Sequence, residues 1–178
     1  MSSTLILGGA RSGKSTLAQR LAEENGGEVL FVATAEAGDE DMKLRIAAHR
    51  RSRPANWKTL EVTHDIGTAI PPVIGTAATV IIDCITLLVS NIFQMHGWVE
   101  DPDLMQQAVR EEITGLIDCI NKFDAQFIIV SNEVGLGIVP ADRLSRIYRD
   151  ELGRANQMLA QQASKVYLLV AGIPLVIK

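Results

Sequence analysis

The chain has 178 residues, of which 47% are hydrophobic and 21% are charged, a balance that suits one domain with a single core and excludes wholesale disorder. Its 17 basic and 21 acidic residues leave a formal net charge of −4 at pH 7. Such a mild negative charge gives the protein no overall field that would hold nucleic acid or an anionic membrane.

Targeting and crosslinking signals are weak in this sequence. Residues 1–4 carry no positive region before an apolar stretch, the apolar run 80–89 is interrupted by Asp83, and the run 166–177 is too short to span a bilayer. Two cysteines, Cys84 and Cys119, make neither a disulfide framework nor a zinc pattern, and both lie in apolar stretches. We therefore expect a cytoplasmic protein that does not insert into membranes.

Apolar runs typical of buried strands alternate along the chain with helical periods. In chain order the first half predicts strand 4–7, helix 15–25, strand 28–33, helix 39–53, strand 57–62 and strand 79–82. The second half predicts a helix from about residue 85, helix 104–122, strand 126–131, helix 142–164 and a hairpin of strands 165–171 and 175–177. This alternation predicts an α/β fold, with one domain over residues 1–178 and a mostly parallel sheet covered by helices on both faces.

The segment 8–15, hereafter the phosphate loop, matches the pattern G-x-x-x-x-G-K-[ST] between a predicted strand and a predicted helix. Its glycines let backbone N–H groups approach a phosphate, and the N-terminus of the next helix adds positive field. Lys14 would reach the β- and γ-phosphates of a nucleoside triphosphate, and the Ser15 hydroxyl would bind Mg²⁺. The alternative is a chance match in a glycine-rich turn, which the flanking elements disfavour. The predicted nucleotide-binding residues here are Gly8, Gly9, Ala10, Arg11, Ser12, Gly13, Lys14 and Ser15.

Asp83 follows the β-branched run 79–82 directly. A carboxylate at the carboxyl end of a buried strand is where a P-loop protein holds Mg²⁺ or a water bound to it. The alternative is an acid that caps the helix starting near residue 85, a role that Asp performs well. Because a phosphate loop precedes it in the chain, we favour the metal role, and the two roles are compatible.

One histidine lies among arginines in the predicted helix 39–53. Arg45, His49 and Arg53 are four residues apart and would share one face of a helix. Four arginines within nine residues repel one another unless an anion gathers them, and a triphosphate is such an anion. Nearby positive charge favours neutral imidazole, which can attack a bound α-phosphate and form a phosphoramidate. From spacing alone, a solvated basic helix face is the simpler interpretation. His64 and His96 have no cluster of arginines around them and are predicted to be structural or at the surface.

A series of further motifs follows the phosphate loop in a fixed order. They are VATA at 32–35, RI at 45–46, HR at 49–50, RP at 53–54, Trp57, Glu61, DCIT at 83–86, SNEVG at 131–135, GIVP at 137–140, RD at 149–150, Gly153 and NQ at 156–157. With this set, the chain resembles the bifunctional adenosylcobinamide kinase/adenosylcobinamide-phosphate guanylyltransferase family of cobalamin biosynthesis over nearly its whole length. The phosphate loop is common to many families, whereas NEVG followed by GIVP is highly specific.

The resemblance implies two reactions. The first phosphorylates the aminopropanol hydroxyl of adenosylcobinamide with ATP or GTP, and the second transfers GMP from GTP to that phosphate through a guanylylated histidine. His49 would take the GMP, and since this chain has Ala48 where some relatives have a second histidine, one candidate remains in the segment. The resemblance also implies a RecA-like sheet and a homotrimer with sites near subunit boundaries.

The resemblance places further residues around the nucleotide, and these are Ala33, Thr34, Ala35, Arg50, Arg51, Ser52, Arg53, Glu61 and Asp83. Our hypothesis for Glu61 is that its carboxylate accepts hydrogen bonds from guanine N1–H and N2–H₂. Asn132 and Glu133 have two interpretations that stay open. They could contact the corrinoid or supply a catalytic carboxylate, or they could belong to a loop packed by its own hydrogen bonds. The predicted cofactors are GTP, ATP and Mg²⁺, with His49 and Lys14 as catalytic residues, Ser15 and Asp83 as metal ligands, and a corrinoid as the substrate.

Two other functions are compatible with the phosphate loop. In a monofunctional small-molecule kinase, the arginine-rich helix would serve only as a lid over the phosphates. In a non-catalytic nucleotide sensor, GTP binding would change the shape of the protein for a partner. We rank the bifunctional enzyme first and the sensor last.

Overall fold

The computed structural model describes residues 2–36, 47, 50, 51 and 53–178. Seven strands form one sheet: β1 (Ser2–Gly8), β2 (Val29–Ala33), β3 (Lys58–Glu61), β4 (Thr79–Asp83), β5 (Gln126–Val130), β6 (Lys165–Val170) and β7 (Ile173–Val176). Their order across the sheet is β3-β2-β4-β5-β1-β6-β7. The first six strands pair in parallel, and β7 pairs with β6 as the antiparallel hairpin that the sequence predicts.

Helices cover both faces of this sheet, as the α/β pattern predicts. They are α1 (Lys14–Asn25), α2 (Ile66–Ala69), α3 (Pro71–Ile74), α4 (Ile85–Met95), α5 (Pro102–Ile120) and α6 (Arg143–Gln162). In the larger apolar cluster, the five helices from α2 through α6 pack on one face of the sheet. In the smaller cluster, α1 packs on the other face. All five residues of β2 are buried, which explains why its sequence is a continuous apolar run and not an alternating one. Among the described residues, no helix has the length and apolar character needed to cross a bilayer.

Capping residues set the starts of the two long helices. The Asp101 side chain accepts hydrogen bonds from the N–H groups of Asp103 and Leu104, so α5 begins two residues before its predicted start. Asp142 accepts the N–H of Ser145 at 2.7 Å and caps α6, and this hydrogen bond lowers the pKa of Asp142.

The predicted helix 39–53 falls largely outside the described residues. Within it, Ala47, Arg50 and Arg51 are helical, and Arg53 lies after the helix. The short helices α2 and α3 are not predicted by the sequence, because four residues are too few for a helical period to appear.

Gly67 lies where α2 meets α5 with no room for a side chain. A Cβ at this position would lie 2.3 Å from the Gly115 carbonyl oxygen, a backbone atom that cannot rotate away. We expect Gly67→Ala to lower the free energy of unfolding by about 1–3 kcal/mol, because the two helices must separate. Urea unfolding measures the difference.

A matched control for this prediction is Gly153→Ala in the interior of α6. There an added Cβ meets nothing within 4 Å, so the variant should gain about 0.5–1 kcal/mol from the better helix propensity of alanine. Equal stability of the Gly67→Ala variant and the unmodified protein would contradict the close approach of α2 and α5.

Candidate active site

The phosphate loop connects the end of β1 to the start of α1, and three features hold its shape. Gly13 has φ of 95°, a left-handed conformation that suits glycine. At Gly8 a Cβ would lie 2.7 Å from the Leu169 carbonyl oxygen of β6, so only glycine fits. The N–H of Gly172, in the β6–β7 turn, donates to the Ser12 carbonyl at 3.0 Å. The hairpin at the end of the sheet therefore braces the loop.

Lys14 is folded into this loop. Lys14 is only 8% exposed, and its Nζ donates a hydrogen bond to the Gly9 carbonyl at 2.7 Å. Burial lowers the pKa of Lys14, while attraction to the Asp83 carboxylate opposes that shift. The ammonium group is thus desolvated and lies near the end of β4, as a phosphate-binding lysine of this motif should.

A hydrogen-bonded network fixes the turn after β4. The Thr34 hydroxyl donates to the Cys84 carbonyl at 2.7 Å and accepts the Cys84 N–H at 2.8 Å, and the Thr34 N–H donates to the Asp83 carbonyl. Asn91 of α4 donates through Nδ2 to the carbonyls of Thr34 and Thr63. Because Thr34 is 0% exposed and its hydroxyl is used twice, its side chain lies beneath the site and positions Asp83.

Asp83 lies at the carboxyl end of β4, as predicted, and the capping alternative is wrong. The N-cap residue of α4 is Cys84, and no side chain within the described residues caps this helix. Burial raises the pKa of Cys84 to about 11, so that residue is a neutral thiol beside the Asp83 carboxylate.

An aromatic and cationic stack lies near Asp83. The Arg53 guanidinium lies 3.7 Å from the centroid of the Phe31 ring, and Phe31 stacks on Trp57 with centroids 6.5 Å apart. Burial lowers the pKa of Arg53, whereas attraction to Asp83 raises it. In the described part of the chain, Arg53 Nε and Nη1 are buried without a hydrogen-bond partner. The stack therefore holds the Arg53 guanidinium in place, and its unpaired N–H groups are available to bind an anion.

Arg50 and Glu61 form an ion pair at the same edge of the sheet. The pair brings Glu61 together with a second predicted site residue, and both side chains are more than half exposed. Of the remaining predicted residues, Gly9, Ala10, Arg11 and Arg51 are exposed, Ser15 and Ala35 are partly buried, and Ala33 is buried.

The predicted catalytic histidine, His49, lies outside the described residues, as do Arg45 and Ser52. Their placement in the site therefore stays a prediction. Two described arginines that follow His49 in the chain, Arg50 and Arg53, both lie at the edge that carries Asp83 and Glu61.

The end of β5 also reaches this edge. The N–H of Ser131 donates to the Ile6 carbonyl, and the N–H of Glu133 donates to the Gly8 carbonyl at 3.1 Å. Asn132 donates its N–H to the Thr86 hydroxyl at 2.8 Å. The structure thus brings the NEVG motif directly beside the phosphate loop.

Several residues of the site carry no local sequence signal. Asn91 is a polar residue on the buried face of an apolar helix, which is the one hint that it bonds to something inside. Phe31 and Gly172 look like an ordinary core residue and an ordinary turn residue. Their roles depend on which strands are neighbours.

Comparison with known proteins identifies the family. The family model described as cobinamide kinase / cobinamide phosphate guanyltransferase matches residues 4–177. The chain belongs to this family. The resemblance stated from the sequence motifs is thereby confirmed, since the match covers nearly the whole chain.

Three curated relatives carry matching names. The bifunctional adenosylcobalamin biosynthesis protein CobP of Pseudomonas aeruginosa is 42% identical over 174 residues, which cover 98% of this chain and 96% of that protein. The bifunctional adenosylcobalamin biosynthesis protein CobU is 41% identical in Escherichia coli (98% of both chains) and 40% identical in Salmonella typhimurium (98% of both chains). The chain therefore spans these cobinamide kinase / guanyltransferase relatives almost from end to end.

A solved structure supports the fold. The crystal structure of the RadB recombinase superposes with a TM-score of 0.52 at 17% identity, covering 94% of this chain and 73% of the recombinase. At that identity the likeness concerns architecture alone, and it agrees with the predicted RecA-like arrangement of a P-loop sheet.

Proposed function

We propose that this protein phosphorylates adenosylcobinamide with ATP or GTP and then transfers GMP from GTP to the new phosphate, giving adenosylcobinamide-GDP. The observation that carries the proposal is the match of residues 4–177 to a family whose description names both reactions. The site residues of the described part support it chemically, because they supply a phosphate loop, a carboxylate and a fixed guanidinium at one edge of the sheet.

The phosphate loop and Lys14 hold the triphosphate in both reactions. Backbone N–H groups of residues 8–15 surround the phosphates, and Lys14 gives up its bond to the Gly9 carbonyl for the β- and γ-oxygens. Since the ammonium is already desolvated, its attraction to a phosphate is stronger than it would be in water.

Ser15 and Asp83 are the residues that we propose hold Mg²⁺. The donor set fits this ion, because a hydroxyl and a carboxylate are hard oxygen ligands. In the described residues there is no group of three or more His, Cys, Asp and Glu that could hold a metal ion by itself. This agrees with magnesium, which proteins commonly bind through one or two carboxylates together with substrate phosphates and water. When bound, the ion neutralises charge that develops on the phosphate oxygens.

The arginines and Glu61 surround the rest of the nucleotide in this proposal. Arg53, supported on Phe31, directs unpaired N–H groups toward the phosphates. Glu61, which pairs with Arg50 in the structure, accepts the guanine N1–H and N2–H₂, which an adenine cannot supply in that pattern.

His49 carries the guanylyl group in the second reaction. An imidazole nitrogen attacks the α-phosphorus of GTP, the bond to the bridging oxygen breaks, and pyrophosphate leaves with the electron pair. A phosphate oxygen of adenosylcobinamide phosphate then attacks the same phosphorus, and cleavage of the N–P bond releases the histidine.

We further propose that the enzyme acts in the cytoplasm and that it is a homotrimer. Light scattering of the purified protein tests the trimer.

The decisive experiment supplies GTP labelled on either the α- or the γ-phosphate. Without an acceptor, we expect the α label to become attached to the protein in an acid-labile form, and mass mapping should place it on His49. With adenosylcobinamide, we expect the γ label to move to the corrinoid and the α label to follow it. Transfer of the γ label alone would identify a monofunctional kinase, and binding without transfer would identify a sensor.

A further inference from the structure

The segment 133–140, hereafter the acceptor loop, begins beside the phosphate loop. In the sheet β5 lies between β1, which leads into the phosphate loop, and β4, which ends at Asp83. The backbone N–H of Glu133 donates to the carbonyl of Gly8, the first residue of the phosphate loop, at 3.1 Å. The acceptor loop therefore starts within one hydrogen bond of the place where the triphosphate is held.

Hydrogen bonds fix both ends of the acceptor loop. Before it, the Asn132 N–H donates to the Thr86 hydroxyl and the Asn132 carbonyl accepts from Asn156 Nδ2 at 3.0 Å. At its end, Arg146 Nη1 donates to the Pro140 carbonyl at 2.9 Å. These bonds come from α4 and α6, so the loop is attached to the core at each end.

Between these ends the acceptor loop exposes three large apolar side chains. Leu136 is 83% exposed, Ile138 is 96% exposed and Val139 is 62% exposed. Hydrophobic side chains grouped in this way on a loop beside a reaction site are typical of a binding surface. Burial of these side chains against a ligand would remove apolar surface from water and so favour binding.

The Glu133 carboxylate is oriented at the start of this surface. Its Oε1 accepts the Gly135 N–H at 2.5 Å. That bond uses Oε1 and leaves the other carboxylate oxygen outside it. A carboxylate held in this way can accept a proton from a group placed next to it.

We propose that the acceptor loop is the corrinoid site of the kinase reaction, with Glu133 as the general base and Leu136, Ile138 and Val139 as the apolar seat. This inference rests on the proposed function and adds residues for its acceptor. The occupant is the corrinoid because the loop is continuous with the phosphate loop through the bond between Glu133 and Gly8. The acceptor hydroxyl must reach the γ-phosphate, and the carbon framework of a corrin ring can pack against an apolar loop.

In the proposed step the acceptor is an alcohol. The hydroxyl oxygen forms a bond to the γ-phosphorus, and the hydroxyl proton passes to Glu133, which becomes a neutral acid. The bond between the γ-phosphorus and the bridging oxygen breaks, and the nucleoside diphosphate leaves with the electron pair. Glu133 then returns its proton to water.

Glu133→Gln tests the base. The amide keeps the shape of the side chain and its bond to the Gly135 N–H, but it cannot take a proton. We expect kcat for phosphorylation of adenosylcobinamide to fall about 100-fold. GTP affinity and GMP transfer to ready-made adenosylcobinamide phosphate should stay unchanged, because neither needs that proton transfer. An unaltered kcat for phosphorylation would overturn the role of Glu133.

Ile138→Ser tests the apolar seat, with Ile177→Ser as its matched control. Ile177 is 62% exposed and lies next to β7, at the far edge of the sheet. We expect the KM for adenosylcobinamide to rise about 10-fold in Ile138→Ser, with kcat and the KM for GTP unchanged. The control should match the unmodified protein.

The remaining outcomes separate this inference from the proposed function. An unchanged KM in Ile138→Ser, with loss of association between copies in light scattering, would make the loop a protein interface and overturn the apolar seat. If the unmodified protein phosphorylates adenosylcobinamide and both loop variants equal it, the inference fails and the proposed function stands. If the unmodified protein itself transfers no phosphate, the proposed function fails first.

Discussion

Replacing His49 with alanine is expected to abolish GMP transfer and leave phosphorylation of adenosylcobinamide in place. The variant lacks the nitrogen that would attack the α-phosphorus, so the covalent intermediate cannot form, and the transfer rate should fall by about 10⁴-fold or more. The kinase reaction uses the γ-phosphate and does not need this nucleophile. The two rates are measured separately with GTP labelled on the α- or the γ-phosphate.

The control for this prediction is His64→Ala. His64 bonds to the neighbouring Asp65 at 2.9 Å and lies after β3, so its loss should leave both reactions intact. A His49→Ala protein that still acquires acid-labile GMP label would place the nucleophile elsewhere. A label that survives mild acid would likewise contradict a phosphoramidate and indicate an ester.

Replacing Lys14 with alanine is expected to depress both reactions together, each by about 10³-fold. Both reactions need the triphosphate held in the same loop, and Lys14 is the buried cation in that loop. Alanine removes a desolvated charge, so the variant should fold, which circular dichroism and urea unfolding can check. Initial rates of phosphoryl and GMP transfer at saturating GTP measure the effect.

Lys58→Ala is the matched control for Lys14→Ala. The Lys58 ammonium donates to the Val73 carbonyl at the outer edge of the sheet, away from the phosphate loop. Both reactions should keep their rates in this variant. Loss of only one reaction in Lys14→Ala would mean that the kinase and the transferase use separate nucleotide sites, contrary to the proposal.

The sheet and the phosphate loop were predictable because their signals are local. A continuous apolar run such as β2 has few explanations other than a strand buried on both faces. The phosphate loop is recognised from the spacing of two glycines, a lysine and a serine within eight residues. The position of Asp83 follows from the end of a β-branched run, and the structure places it beside Lys14 as that argument requires.

The contacts that hold the site residues in place could not be predicted, because they join distant parts of the chain. Thr34 reaches Cys84 across 50 positions, and Asn91 reaches Thr34 across 57. Arg53 stacks on Phe31 only because β2 and the segment before β3 are neighbours. A periodicity within one segment carries no information about which other segment will lie against it.

The order of the strands also determines when the protein first becomes able to bind a nucleotide during its synthesis. β1 is flanked by β5 and β6, and the Ser164 hydroxyl donates to the Ser3 carbonyl across 161 positions. A ribosome therefore releases the complete G-x-x-x-x-G-K-S motif long before it makes the strands on either side of it. Until those strands are made, the nascent motif has no rigid support, and a nucleotide can stabilise only the finished chain.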